Sequence, residues 1–139
     1  MRLSIRVVVA LMVVSLLGVV LAQAQDGQNI KSNPRLADLG AKIWYSRGCD
    51  GCHRIGGEKR IAPDLLGVTA RRTVAWLRAW LRNPPEMAKS DRIAQQMIKD
   101  AGTVMPNLRL KDDDIEALLT FIQRENDKQA PRSAGAKVE

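Results

Sequence analysis

Cys49, Cys52 and His53 are the only two cysteines and the only histidine of the chain, and they fall within "CDGCH". Two thiols three positions apart can reach the two vinyl groups on one edge of a porphyrin and bond them as thioethers. The adjacent imidazole is then placed to ligate the iron from one face. A redox disulfide also uses C-x-x-C, but it usually follows a strand, and no strand pattern precedes Cys49. A structural zinc site normally takes four protein ligands, and there is no second Cys or His pair to supply them. The motif therefore reads as covalent attachment of one haem c.

With no other histidine, a second axial ligand has to come from methionine, of which the chain has five. Met1 and Met12 lie in the N-terminal segment described below. Met97 falls on the apolar face of a predicted helix, where core packing is the ordinary role. Met87 follows Pro-Pro-Glu in a predicted loop. Met105 lies in "GTVMPNL", an irregular stretch between two helices, with Pro106 restricting the backbone beside it. Met105 is the first candidate for the iron and Met87 the second.

Four amphipathic helices must position these groups, and no strand is expected. The first spans 33–46, capped by Asn33 with Pro34 at its first position, and carries Leu36, Leu39, Gly40 and Ile43 on one stripe with Trp44 beside it. The second spans 73–83 and stops at Pro84-Pro85. Val74, Leu77 and Leu81 form its stripe, Trp76 and Trp80 widen it, and Arg78 and Arg82 lie opposite. The third spans 90–102, with Ser90 as its cap, Ile93, Ala94, Met97, Ile98 and Ala101 as its apolar face, and Gly102 closing it. The fourth spans 112–125. Its three leading aspartates suit the helix dipole, and Asp112 is the expected cap. Stretches 54–72 and 103–111 are long and irregular, as functional loops in small domains often are.

The ends of the chain are of a different kind. Arg2 and Arg6 precede an apolar run from Val7 to Leu21, and "AQA" at 22–24 follows. That is the pattern of a secretory signal peptide. The run is short of the ~20 residues that span a membrane, so an uncleaved anchor is the alternative. Residues 1–24 are assigned to the signal, 25–32 to a linker, 33–125 to the folded domain and 126–139, almost without apolar residues, to a disordered tail. Losing Arg2 and Arg6 takes the formal net charge from +7 to +5. Arg47, Arg54, Lys59 and Arg60 flank the cysteine motif and suit an acidic partner. With one Phe and one Tyr, the chain has few rings to stack on bases, and nucleic acid is not an expected partner.

A domain of this size with so few aromatic residues buries a thin core, and a large apolar cofactor would supply its centre. On "GCDGCH", Gly40 and Trp44 before it, "APDL" at 62–65, "VMPNL" at 104–108 and Phe121, the chain resembles the class I monohaem cytochromes c, over roughly residues 36–124. The resemblance implies a small all-α fold of about four helices around one haem. It implies that the first and last helices cross near Gly40, with Trp44 and Phe121 packed there. It also implies that the Pro63 carbonyl takes a hydrogen bond from His53 Nδ1, and that Trp76 or Trp80 donates an indole N–H to a haem propionate, unless both are simply core. A serine or threonine usually stands where this chain has Lys111. The implied function is electron transfer, not catalysis, in the periplasm or an equivalent compartment, with membrane complexes among the partners. A permanently bound haem subunit of a larger dehydrogenase or oxidase is the alternative. A gas-binding or peroxidase site, with Met105 labile, is the remaining one.

Overall fold

The computed structural model describes residues 29–57 and 59–129. The signal segment, part of the linker and the end of the tail lie outside them. Every regular element among the described residues is helical, so the chain has an all-α fold. No helix among them is long and apolar enough to cross a membrane.

Helix α1 (Pro34–Ser46) begins as its sequence suggests, with the Asn33 side chain accepting the Leu36 N–H at 3.1 Å and proline at the first position. It buries Ala37, Gly40, Ile43 and Trp44 against the last helix, α7 (Asp112–Gln129). The close approach requires Gly40. A Cβ there would overlap the Ala117 carbonyl and come within 2.7 Å of Phe121 Cβ. One turn further on, Trp44 and Phe121 meet with centroids 5.8 Å apart and planes at 51°. Arg124 on α7 adds an ion pair to Asp38 on α1 at 2.6 Å.

After α1 the chain turns through Gly48, whose φ of 68° favours glycine, into the single turn α2 (Cys49–Cys52). Another left-handed glycine, Gly67, leads into the short α3 (Val68–Arg71), so the stretch 54–72 is less irregular than its composition suggests. Helix α4 (Val74–Arg82) is capped by Thr73 Oγ1 on the Trp76 N–H at 3.2 Å. The two prolines end α4 but also begin a turn of their own, α5 (Pro84–Met87), because proline suits a first helical position. Met87 is therefore helical and not in an open loop.

Three boundaries differ from expectation. Helix α6 (Arg92–Ala101) is capped by Asp91 Oδ1 on the Ala94 N–H at 2.8 Å, not by Ser90. Its Ile93 is 40% exposed rather than part of the buried face. At the start of α7, Asp112 is not the cap. Asp114 reaches back to accept the Lys111 N–H at 3.1 Å, and Asp112 pairs with Arg82 at 2.7 Å. The helix also runs past residue 125, so 126–129 are not a disordered tail. Asn126 is buried there, and its Oδ1 accepts the Gly67 N–H at 2.9 Å. Gln129 Nε2 donates to the Ile55 carbonyl at 2.6 Å. The last turn of α7 thus clamps the segment that follows the cysteine motif.

Candidate haem site

The site is built around the exit from α2. His53 leaves the helix in an extended conformation, φ −109° and ψ 158°. Its Nδ1 lies 2.9 Å from the Pro63 carbonyl. A carbonyl only accepts, so Nδ1 donates, and Nε2 is left as the nitrogen free to act as a ligand. Pro63 is held in place by backbone bonds on either side of it. Ala62 N–H donates to the Cys52 carbonyl at 3.0 Å, and Leu65 N–H to the Arg54 carbonyl at 2.8 Å. Asp64 tightens the same turn, with Oδ1 accepting the N–H groups of Gly56 (3.1 Å) and Leu66 (2.6 Å).

Beside His53 lies a cavity of two lobes, of about 230 and 170 Å³. Cys49, His53, Pro63, Trp80, Met97 and Met105 line both. The first lobe adds Cys52 and reaches the surface at Ile61, 59% exposed, and Val104, 40% exposed. The second is walled by core residues such as Leu77, Leu118 and Ile122, with Arg71 and Arg72 bringing positive charge to it. Cys49 and Cys52 form no disulfide, and both side chains are partly buried. Among the described residues no three His, Cys, Asp or Glu side chains converge as a metal cluster would.

The structure thus brings Cys49, Cys52, His53, Pro63, Trp80 and Met105 to one cavity. Met87 is not among its lining residues. Trp76 is placed differently from the propionate role suggested for it, because its Nε1 donates to Asp91 Oδ2 at 3.2 Å. Sequence reasoning assigned Met97 to plain core, yet it faces both lobes. Arg71 and Arg72, in the stretch 54–72 read only as irregular, line the second lobe. No spacing rule marks either feature, although two adjacent arginines inside a glycine-bounded loop were a visible signal.

An apolar, two-lobed cavity fits a flat macrocycle. Two cysteine side chains, an oriented imidazole and a thioether line it, and Arg71 and Arg72 line its second lobe. Fold and site together define a small all-α haem protein of the electron-transfer kind. The chain belongs to the cytochrome c family, whose model matches residues 37–125. Among solved structures it is similar to a cytochrome c from Rhodothermus marinus, with 26% identity over 73% of this chain and 85% of that one, at a TM-score of 0.67. It is also similar to the cytochrome c domain of a Pseudomonas putida protein, with 31% identity over 72% of this chain and 99% of that one, at a TM-score of 0.60. An engineered form of the Rhodothermus marinus protein shares the fold, with 24% identity over 71% of this chain and 84% of that one, at a TM-score of 0.65. No curated protein sequence matches at a significant level. The family carries haem c, and Cys49 and Cys52 have the spacing that attaches it.

Proposed function

We propose that this chain is an exported carrier of single electrons, with His53 and Met105 as the axial ligands of its haem iron. The observation that carries the proposal is that His53 and Met105 line the same cavity, while the other ring nitrogen of His53 is committed to Pro63. A haem bound there would supply an iron able to take up and release one electron. Every other part is supplied by the chain. Pro63 fixes the ring orientation of His53 and raises its basicity. The thioether of Met105 favours ferrous iron over what a second nitrogen ligand would give. The walls formed by Leu77, Leu118 and Ile122 keep water from the buried side. If His53 and Met105 both held the iron, they would leave it no open position for a substrate, which favours electron transfer over catalysis. The basic run before Val7 to Leu21 and the "AQA" behind it support export to the periplasm.

A reversible one-electron titration of the purified protein, together with no binding of carbon monoxide to its reduced form, is the expected result. Ready binding of carbon monoxide would instead indicate an open iron.

The surface supports a redox partner with an acidic docking face. Arg47 lines the first lobe, while Lys59 and Arg60 bond the carbonyls of Asp100 and Asp50 rather than carboxylates. Electron exchange with such a partner, a membrane complex included, slows as salt rises, since screening acts within ~10 Å at moderate ionic strength. The exposure of Ile61 and Val104 at the mouth favours one other arrangement, permanent attachment to a larger oxidoreductase. A flat salt dependence with co-purification would mark it.

A further inference from the structure

Trp76 and Trp80 stand one helical turn apart on α4 with their rings stacked, centroids 5.7 Å apart and planes within 10°. The inner ring, 7% exposed, lines the cavity together with His53 and Met105. The outer ring is partly exposed and is fixed in two further ways. Its N–H donates to Asp91 at 3.2 Å, and the Arg72 guanidinium lies 5.6 Å from its centroid. Asp91 is itself immobilised, because its second oxygen caps α6. Core packing needs only apolar volume. It does not require an indole with one face stacked, one edge hydrogen-bonded and a cation over the ring.

We propose that Trp80 and Trp76 form a second electron port, leading from the haem cavity to the surface at Arg72 and Asp91. The proposal rests on the carrier reading above and adds a route to it. One electron passes from the reduced iron across the stacked indoles to a one-electron redox protein seated over Trp76. The iron goes from ferrous to ferric and the acceptor gains that electron. Both indoles serve as a bridge, neither oxidised nor deprotonated. The partner carries a carboxylate beside its redox centre, because Arg72 bonds the Arg71 carbonyl and no carboxylate among the described residues. This port is separate from the mouth at Ile61 and Val104, since those two line only the first lobe, Arg72 lines only the second, and Trp76 lines neither. Donor and acceptor can then be engaged at once, and the chain passes electrons through without dissociating between encounters.

The test uses the full haem-loaded protein carrying a photoactive ruthenium complex on a single added thiol. The thiol is introduced by Arg92→Cys, next to Asp91, or by Lys59→Cys as the control. Flash-triggered electron transfer to the iron is followed by absorbance, and the reduction potential is measured alongside. Trp76→Leu removes the ring face and leaves a gap, so transfer from position 92 slows by about an order of magnitude. Trp76→Phe restores most of the rate. Neither change affects transfer from position 59 or the potential. An unchanged rate from position 92 in Trp76→Leu overturns the port. So does equal slowing from both positions, which would mean general loosening of the fold. Absence of transfer from either position with both tryptophans intact overturns the carrier reading itself.

Discussion

Gly40 on α1 lies directly against the Ala117 carbonyl on α7, with no room for a Cβ between the two helices. This contact sets the crossing from which the rest of the site is hung. Trp44, one turn along α1, packs on Phe121, and the chain then passes through Gly48 into the cysteine turn.

Gly40→Ala therefore forces the helices apart rather than shortening a flexible side chain. Overpacking against backbone is expected to cost about 3 kcal/mol or more. Thermal unfolding of the haem-loaded protein measures it, and a loss below about 1 kcal/mol, the low end for overpacking, would mean that the crossing can shift.

The polar faces of α4 and α7 meet through Arg78 and Glu116, paired at 2.5 and 2.9 Å. Side-chain exposures of 32% and 42% keep the pair's value near ~0.5–1 kcal/mol after solvent screening. The hydrogen bonds that Arg78 donates to Glu116 are the main reason that its guanidinium is pushed above its ordinary pKa. A raised folded-state value means that its contribution is full below the unfolded-state pKa and is lost only above it. A double-mutant cycle with Arg78→Met and Glu116→Gln should give the same coupling at neutral pH and in mild alkali. A coupling that fades over that range would contradict the assignment.

Much of this architecture is legible in the sequence. The types and spacing of Cys49, Cys52 and His53 are chemically demanding, and Asn33-Pro34 and Gly102 mark helix ends whose backbone requirements few residues meet. The crossing at Gly40 was legible only by resemblance, since glycine on an apolar stripe has no pattern of its own. What escaped was non-local polar structure. Ser90 and Asp91 are both good caps, and the choice between them goes with Trp76, fifteen positions away, which also bonds Asp91. Asn126 looked like the start of a polar tail because periodicity counts apolar residues. It is buried because its amide meets Gly67. Arg78 and Arg82 read as a solvated face, whereas their partners lie on another helix.

The Asn126–Gly67 bond yields a prediction of its own. Asn126→Ala leaves the Gly67 N–H without its acceptor and should cost about 1–3 kcal/mol, the usual range for an orphaned, partly buried donor. The effect should be local, on the turn that holds Pro63 and Asp64. Hydrogen exchange should show Gly67 and its neighbours exchanging faster, while the middle of α7 stays protected. Uniform loss of protection along α7 would show that Asn126 supports the helix rather than the loop.

The last prediction concerns the iron's second protein ligand. Met97 and Met105 both line the cavity, and Met87 does not. Cavity lining alone therefore does not separate the first two, and the backbone does. Met97 is fixed within α6, whereas Met105 follows the left-handed Gly102 in a segment without helical bonds, where a side chain can be aimed across a ring face. If Met105 is the ligand, the oxidised protein shows the weak long-wavelength sulfur-to-iron absorption. Met105→Ala abolishes it, lowers the reduction potential and opens the reduced iron to carbon monoxide. Met97→Leu keeps the absorption and costs under about 1.5 kcal/mol of stability, because a similar apolar volume replaces it. Met87→Leu leaves the absorption and the potential alone. Survival of the absorption in Met105→Ala together with its loss in Met97→Leu would move the ligand onto α6. The attachment through Cys49 and Cys52 would be untouched by that result, because it does not depend on which methionine binds the iron.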